Sequence, residues 1–228
     1  MSDDTSVRLN KYLALHMGTS RREADAIIAQ GKVMLNDQLA PIGARVGEGD
    51  EVRVKGKLIE SDTAMMYIAL NKPVGYVCSR RRQGDNPTIY ELLPTELSPL
   101  KPVGRLDKDS SGLLLLSNDG DFALRMTHPR FSKVKRYDIE LDKPLEPLHQ
   151  QMISDFGIDL DDGKSQLTLE RMSNDRMKWV VIMSEGRNRQ IRRTFAALGY
   201  TVAQLHRTNF GNYTLGNLAP GEFETVSV

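Results

Sequence analysis

The chain has 228 residues, 39% of them hydrophobic, with a formal net charge of +1 and a pI of about 7.8. This length allows one large or two smaller domains, and the apolar share supports a real core. No apolar run approaches the ~18 residues of a membrane span, the acidic start Met1-Ser2-Asp3-Asp4 is unlike a secretion signal, and the lone Cys78 rules out an internal disulfide or a cysteine-based zinc site.

Residues 1–6 are polar and are expected to be disordered. Leu9, Tyr12, Leu13 and His16 then recur at helical spacing, and Gly18 ends that helix. Ser20 and Glu23 form the capping-box pattern of a second helix, with Ala24, Ile27 and Ile28 on its apolar face and Gly31 as its stop. Lys32–Asp37 starts a strand and turn, and Val46–Val54 is a turn entering another strand. This order and its R-L-N…S-R-R…V-G-E-G-D-E-V spacing resemble the S4 RNA-binding domain over about residues 7–56. The resemblance puts Arg8 and Lys11 on the first helix, Arg21 and Arg22 at the start of the second and Lys32 just after it, on one surface for structured RNA. Such a surface reads phosphates and shape more than base sequence.

Lys55–Thr63 is polar and reads as a linker. That divides the chain into a domain at 1–60 and a second at 64–228. Met66–Leu70 is a strand leading into Asn71-Lys72-Pro73, and Gly75–Ser79 continues it. Arg80–Pro87 is a charged loop, and Thr88–Leu93 a short helix with Ile89, Leu92 and Leu93 inward.

Pro102–Gly120 is the stretch on which the chain turns. It reads P-V-G-R-L-D-K-D-S-S-G-L-L-L-L-S-N-D-G, a charged loop followed by an apolar run short enough for a buried strand. A loop pinned at the end of a sheet is a common seat of function. One reading is a solvated turn. A second is a calcium loop, because Asp107, Asp109, Ser111 and Gly112 fall on EF-hand positions. Against it, Asn118 stands where a bidentate Glu is required, and Leu113–Leu116 is strand-like. The third is catalytic: G-R-L-D-x-x-S-x-G-L-L followed by N-D-G resembles the signature of the Rsu family of bacterial rRNA pseudouridine synthases. In that family the Asp, here Asp107, is the essential residue.

Later segments carry the rest of the resemblance. Asp121–Met126 reads as a helix, and Tyr137, Ile139 and Leu141 alternate on one side of a strand from Lys133 to Leu141. The K-x-Y spacing of Lys135 and Tyr137 matches the family's second motif, whose Tyr stacks on the target base. Pro147–Phe156 reads as a helix, Gly157–Trp179 as strands with a hairpin, and Trp179 as packing before an apolar strand. Ser184–Arg193 is expected to open a helix ended by Gly199, with Ile191, Phe195 and Leu198 inward. At ~100° per residue, Arg192 lies at the edge of that face whereas Arg189 and Arg193 point away. E-G-R-N-R-Q-I-R-R resembles the third family motif, in which an Arg, here Arg192, reaches the catalytic Asp. The final strands are Val202–Leu205 and Glu222–Val226.

The resemblance spans nearly the whole chain. It implies an α+β protein: a small α/β S4 domain, then a catalytic domain with a large, mostly antiparallel mixed sheet. It implies an isomerase that turns a uridine of ribosomal RNA into pseudouridine without cofactor or metal. Asp107 either attacks C1′ or takes a proton from C2′. Arg192 keeps it ionised, and Tyr137 stacks on the flipped base. Arg105 holds the nucleotide's phosphate or fills the vacated stack, and Asp109 is a structural acid of the loop. Lys135, Arg187, Arg189 and Arg193 contact RNA. The expected partner is ribosomal RNA or a pre-ribosomal particle, met by a cytoplasmic monomer with no membrane contact. The competing class is a non-catalytic RNA-binding protein of the S4 type, which has no use for G-R-L-D, K-x-Y and R-Q-I-R together.

Overall fold

A computed structural model describes residues 6–228. The disorder expected at the N-terminus falls on residues 1–5, outside the described residues. Ser6 accepts two hydrogen bonds from the Arg45 guanidinium, at 2.6 Å each. The chain forms two compact units: Met1–Met66 with Pro99–Lys101 and Ser117–Gly120, and the remainder, Tyr67–Ser98, Pro102–Leu116 and Asp121–Val228.

In the first unit, β1 (Val7–Arg8) leads into helices α1 (Leu9–His16) and α2 (Arg21–Ala29). Five short strands follow: β2 (Val33–Leu35), β3 (Gln38–Leu39), β4 (Arg45–Val46), β5 (Val52–Val54) and β6 (Lys57–Leu58). β1 pairs with β4, and the others form a sheet ordered β3-β2-β5-β6. The Ser20 hydroxyl accepts from the Glu23 amide at 3.1 Å, and the Glu23 carboxylate from the Ser20 amide at 2.8 Å, closing the capping box. Leu9, Leu13, Ala24, Ile28, Val33 and Val52 form the core. Two expectations need correction. Arg8 is not on the first helix: it ends β1, opposite Arg45, and the helix starts after it. Lys55 and Gly56, expected to open the linker, are a tight turn with φ of +50° and +79° that folds β6 back on β5. The pair uses backbone bonds, to which side-chain polarity is indifferent.

In the second unit the strands are β7 (Tyr67–Lys72), β8 (Lys101–Val103), β9 (Ser111–Ser117), β10 (Lys135–Leu141), β11 (Ile158–Leu160), β12 (Gly163–Ser165), β13 (Thr168–Arg171), β14 (Lys178–Met183), β15 (Val202–Phe210), β16 (Tyr213–Thr214) and β17 (Phe223–Thr225). The helices are α3 (Gly120–Thr127), α4 (Pro147–Gln151) and α5 (Gln190–Ala196). One large sheet runs β13-β14-β10-β15-β9-β7-β17, with β16 beside β15 and β8 beside β9. β10 is antiparallel to both β14 and β15, whereas β15 and β9 run parallel. The sheet is therefore mixed and mostly antiparallel. Leu113–Leu116 are fully buried, so β9 is covered on both faces. Trp179 is buried too, and its indole N–H donates to the Arg176 carbonyl at 2.7 Å.

The parallel pair sets the site. Gly112 faces Arg207 across it, with φ of +102°. A Cβ there would lie 2.2 Å from the Arg207 carbonyl oxygen. Only glycine lets the strand leaving the Asp107 loop lie flush against β15.

Ser184–Arg189 is not helical as expected. It is a loop, and α5 starts only at Gln190, because Arg189 adopts a left-handed conformation with φ of +47°. The Gln190 side chain holds that loop in place. Its amide donates to Ser165 Oγ at 3.0 Å and to the Glu185 carboxylate, and its oxygen accepts from the Arg187 N–H at 3.1 Å.

Candidate active site

A cleft of ≈ 470 Å³ opens within the second unit. Arg105, Leu106 and Asp107 line it from the loop before β9, Lys135 and Tyr137 from β10, and Leu205, Arg207 and Phe210 from β15. The 184–189 loop and the first turn of α5, with Arg192, complete it.

The Asp107 loop is held from below. Lys72, at the end of β7, is 0% exposed. Its ammonium donates to the carbonyls of Ser110 (2.7 Å), Pro73 (3.0 Å) and Asp107 (3.1 Å). Burial lowers its pKa, a shift opposed by Cys78, Asp107 and Asp109 nearby. The Ser110 N–H also donates to the Asp107 carbonyl, at 3.1 Å. The main chain at 107 is thus fixed twice, while its carboxylate stays half-exposed at the cleft. Cys78 lies behind the loop, its Sγ 3.3 Å from the Leu106 carbonyl, and burial pushes its thiol pKa up.

The arginines of the α5 region divide differently from the expected phase. Arg189, expected to point away, turns to the Asp107 loop. Its fork meets both oxygens of Asp109 at 2.9 Å each, and Nη1 lies 3.5 Å from Asp107 Oδ2. The cause is the late helix start: a left-handed residue at 189 breaks the 100° progression on which the phase rested. Arg192 does turn inward, its side chain 13% exposed, but its acid partner is Asp109 rather than Asp107. Nε is 3.4 Å from Asp109 Oδ2, Nη2 donates to the Asp109 carbonyl at 2.8 Å, and Nη1 to the Val202 carbonyl at 2.5 Å. Asp109 is therefore the hub of two arginines, and the hydrogen-bonded Arg189 holds its pKa below the usual range.

Arg187 and Arg193, expected to contact RNA phosphate, are occupied within the protein. Arg187 donates to Asp162 and to the carbonyls of Asp162, Gly163 and Lys164. Arg193 takes the Asp162 carboxylate at 3.0 and 2.6 Å and the Asn188 carbonyl at 2.9 Å. Asp162, on the β11–β12 turn, was invisible as their partner because 25 or more residues separate them. Lys135 lies against the cleft with its ammonium on the carbonyls of Glu185 (3.1 Å), Ser184 and Lys133 (3.4 Å each). Tyr137 is 8% exposed and lines the cleft, opposite Val181 on one side and Arg207 on the other. Arg105 is exposed at the same cleft. In the first unit Arg8, Arg21, Arg22 and Lys32 are exposed and Lys11 half-buried.

Sequence reasoning gave no site role to Gln190 or Arg207. Lys72 lies in L-N-K-P-x-G, which resembles the family's first catalytic-domain motif, but its part in holding the Asp107 loop was not read. The signal for Arg207 was an arginine on the inward phase of a strand, between Leu205 and Phe210. As for the calcium reading, no group of three or more His, Cys, Asp or Glu side chains able to hold a metal occurs among the described residues. No helix among them is long and apolar enough to cross a membrane.

The S4 domain family model matches residues 7–52, and the RNA pseudouridylate synthase model matches residues 66–197. The ribosomal small subunit pseudouridine synthase A of Pasteurella multocida (strain Pm70) is 37% identical over 227 residues, covering 97% of this chain and 96% of that protein. The dual-specificity RNA pseudouridine synthase of Escherichia coli (strain K12) is 37% identical over 231 residues, 100% of this chain and 78% of its own length. A pseudouridylate synthase crystal structure superposes with a TM-score of 0.68 at 33% identity, covering 97% of this chain and 96% of that one.

Proposed function

The chain belongs to the RNA pseudouridylate synthase family, and on that premise we propose that it isomerises a uridine of ribosomal RNA through Asp107. The N1–C1′ bond breaks, the base turns, and C5 joins C1′. Nothing is oxidised and no group is lost, so the chemistry requires neither redox cofactor nor metal. An ionised carboxylate at 107 serves both routes, attack on C1′ or proton removal at C2′.

The observation that carries this reading is one cleft lined by Asp107, Tyr137 and Arg192, within the segment that matches the synthase family. Tyr137 is the platform for the flipped uracil. Flipping costs a few kcal/mol of stacking, and stacking on an aromatic offsets it by ~1–3 kcal/mol. Arg192 acts on Asp107 through Asp109, by fixing the loop they share, and Arg189 supplies the nearer charge. Arg105 meets the target nucleotide's phosphate or fills its place in the stack. In the S4 domain Arg8, Lys11, Arg21, Arg22 and Lys32 are the second RNA contact. On this reading 1–60 binds RNA and 64–228 performs catalysis. The protein works as a monomer in the cytoplasm, on ribosomal RNA or a pre-ribosomal particle.

Mapping pseudouridines in ribosomal RNA from cells with and without the protein tests the proposal. One uridine that stays unmodified only in its absence is the expected result. Identical maps would leave an RNA-binding protein without this activity.

A further inference from the structure

The buried guanidinium of Arg207 has no part in the roles above. It lies on β15, 2% exposed, and lines the cleft. Its Nε donates to the Leu113 carbonyl at 2.8 Å, and its Cζ is 4.8 Å from the centre of the Phe210 ring. Nη2 is buried and has no hydrogen-bond partner. On the neighbouring strand Lys135 stands opposite Phe210, with Nζ 5.3 Å from the same ring. Burial, and then the charge of Arg207, lower the pKa of Lys135, a shift that the Glu185 carboxylate opposes.

Two cations thus lie against one aromatic ring; the hydrogen bonds of both go to carbonyls, and Arg207, unlike Lys135 with Glu185 nearby, has no carboxylate among the described residues to offset its charge. A fold that buries a cation without an acid to match bears a desolvation cost. Gly112 shows that this geometry is held tightly, since even a methyl group there would meet the Arg207 backbone. At 2% exposure the Arg207 side chain offers almost no surface to an RNA phosphate. The charge of Arg207 therefore acts on whatever fills the cleft, unscreened by water.

What fills the cleft becomes negative at one step. When N1–C1′ breaks, its electron pair stays on the ring, and uracil separates as a monoanion with charge on N1, O2 and O4. C1′ is satisfied by an Asp107 oxygen, or by the C2′–H electrons while that proton passes to Asp107. C5 then bonds to C1′ as the Asp107–C1′ bond breaks, or as C2′ takes its proton back from Asp107; the proton on C5 leaves and N1 takes one up, so composition is unchanged. We propose that Arg207, assisted by Lys135, supplies the positive potential that stabilises the uracil ring as this departing anion. The inference rests on the pseudouridine-forming reading and adds to it a residue which acts on the base rather than on Asp107.

The test uses the full-length protein and ribosomal RNA transcribed with uridine or with 5-fluorouridine. Fluorine withdraws electrons, so the substituted ring carries its negative charge with less help. Single-turnover consumption of the target nucleoside is followed by mass analysis of digested RNA, and RNA affinity is measured separately. Arg207→Met should slow the uridine reaction by roughly 100- to 1000-fold, as removal of one preorganised group does, with affinity unchanged. The loss should be smaller with 5-fluorouridine, Arg207→Lys should recover part of it, and the acid limb of the rate–pH profile should stay where it is. Should Arg207→Met fail to fold, Arg207→Gln, which keeps a donor for the Leu113 carbonyl, replaces it. An equal loss on both RNAs, a shifted acid limb, a loss of affinity alone or no loss at all would overturn the inference while leaving the synthase reading intact. A wild-type protein inactive on every uridine would overturn both.

Discussion

The cations of the first unit and those of the cleft are the same residue types in opposite circumstances. Arg21 and Lys32 are exposed and tethered lightly, to Asn10 at 3.2 Å and Gln30 at 2.6 Å. Lys72, Arg192 and Arg207 are drawn inside and aimed at main-chain carbonyls. A solvated cation binds phosphate by releasing counterions, with little geometric demand and a steep dependence on salt. A cation tied to carbonyls is dehydrated and oriented before substrate arrives, so its effect appears in rate. One group should govern affinity and the other turnover.

The largest expected effect is at the anion that the cleft cations surround. Asp107→Asn keeps the shape and removes the charge, so pseudouridine formation should fall below detection. Affinity should hold. Melting temperature should hold too, because a half-exposed ion pair with Arg189 contributes ~0–1 kcal/mol. Full activity in this variant would falsify the catalytic assignment, and loss of wild-type activity to a chelator alone would reopen the metal reading.

Next is Arg192→Ala, which removes the guanidinium donors to the Asp109 and Val202 carbonyls. A drop of about 100-fold in single-turnover rate is expected, within the range for one preorganised group, with little change in RNA affinity. Arg193→Ala, whose bonds go to Asp162 and Asn188, should cost far less. Parity between the two would mean that burial beside the loop does not matter.

Asp109→Asn should act more mildly, lowering rate about tenfold by loosening the two arginines it holds. Its pH signature is specific. Because the folded-state pKa of Asp109 is lowered, the stability it adds is present above the ordinary carboxylate value, ~4. That stability is lost as pH falls through the lowered value. Acid unfolding curves of wild type and variant should therefore merge at low pH and separate above ~4. Curves that stay parallel throughout would remove Asp109 from its position as hub.

The smallest effect is expected from Arg22→Ala in the first unit. The rate at saturating RNA should not change. The slope of log affinity against log salt should shrink by about 0.7–0.9, the value for one phosphate contact. A changed rate with an unchanged slope would erase the contrast between the two sets of cations.

The sequence was most legible where a signal is local. The Ser20–Glu23 capping box, the alternation on β10 and the apolar run Leu113–Leu116 each depend on a few neighbouring residues, and each appears in the fold where expected. Misreadings came where a distant partner decides. Helical phase put Arg189 outside, but a left-handed backbone at 189 and the long-range pull of Asp109 bring it in. Arg187 and Arg193 looked free because Asp162 lies on another hairpin. Arg207 went unremarked because its meaning depends on strands 95 positions apart, those holding Ser111 and His206.

That separation also orders events during synthesis. β9 follows the Asp107 loop directly, whereas its partner β15 is made about a hundred residues later. At ~5–20 residues per second the strand that pairs with β9 follows the loop by roughly 5–20 s. Before Val202 emerges, the two N-terminal helices and their small sheet are complete, but Arg192 lacks the carbonyl that anchors it and Arg207 does not yet exist. A nascent chain at that stage has its first set of cations and no cleft, so on the proposed reading any RNA contact through them would precede chemistry.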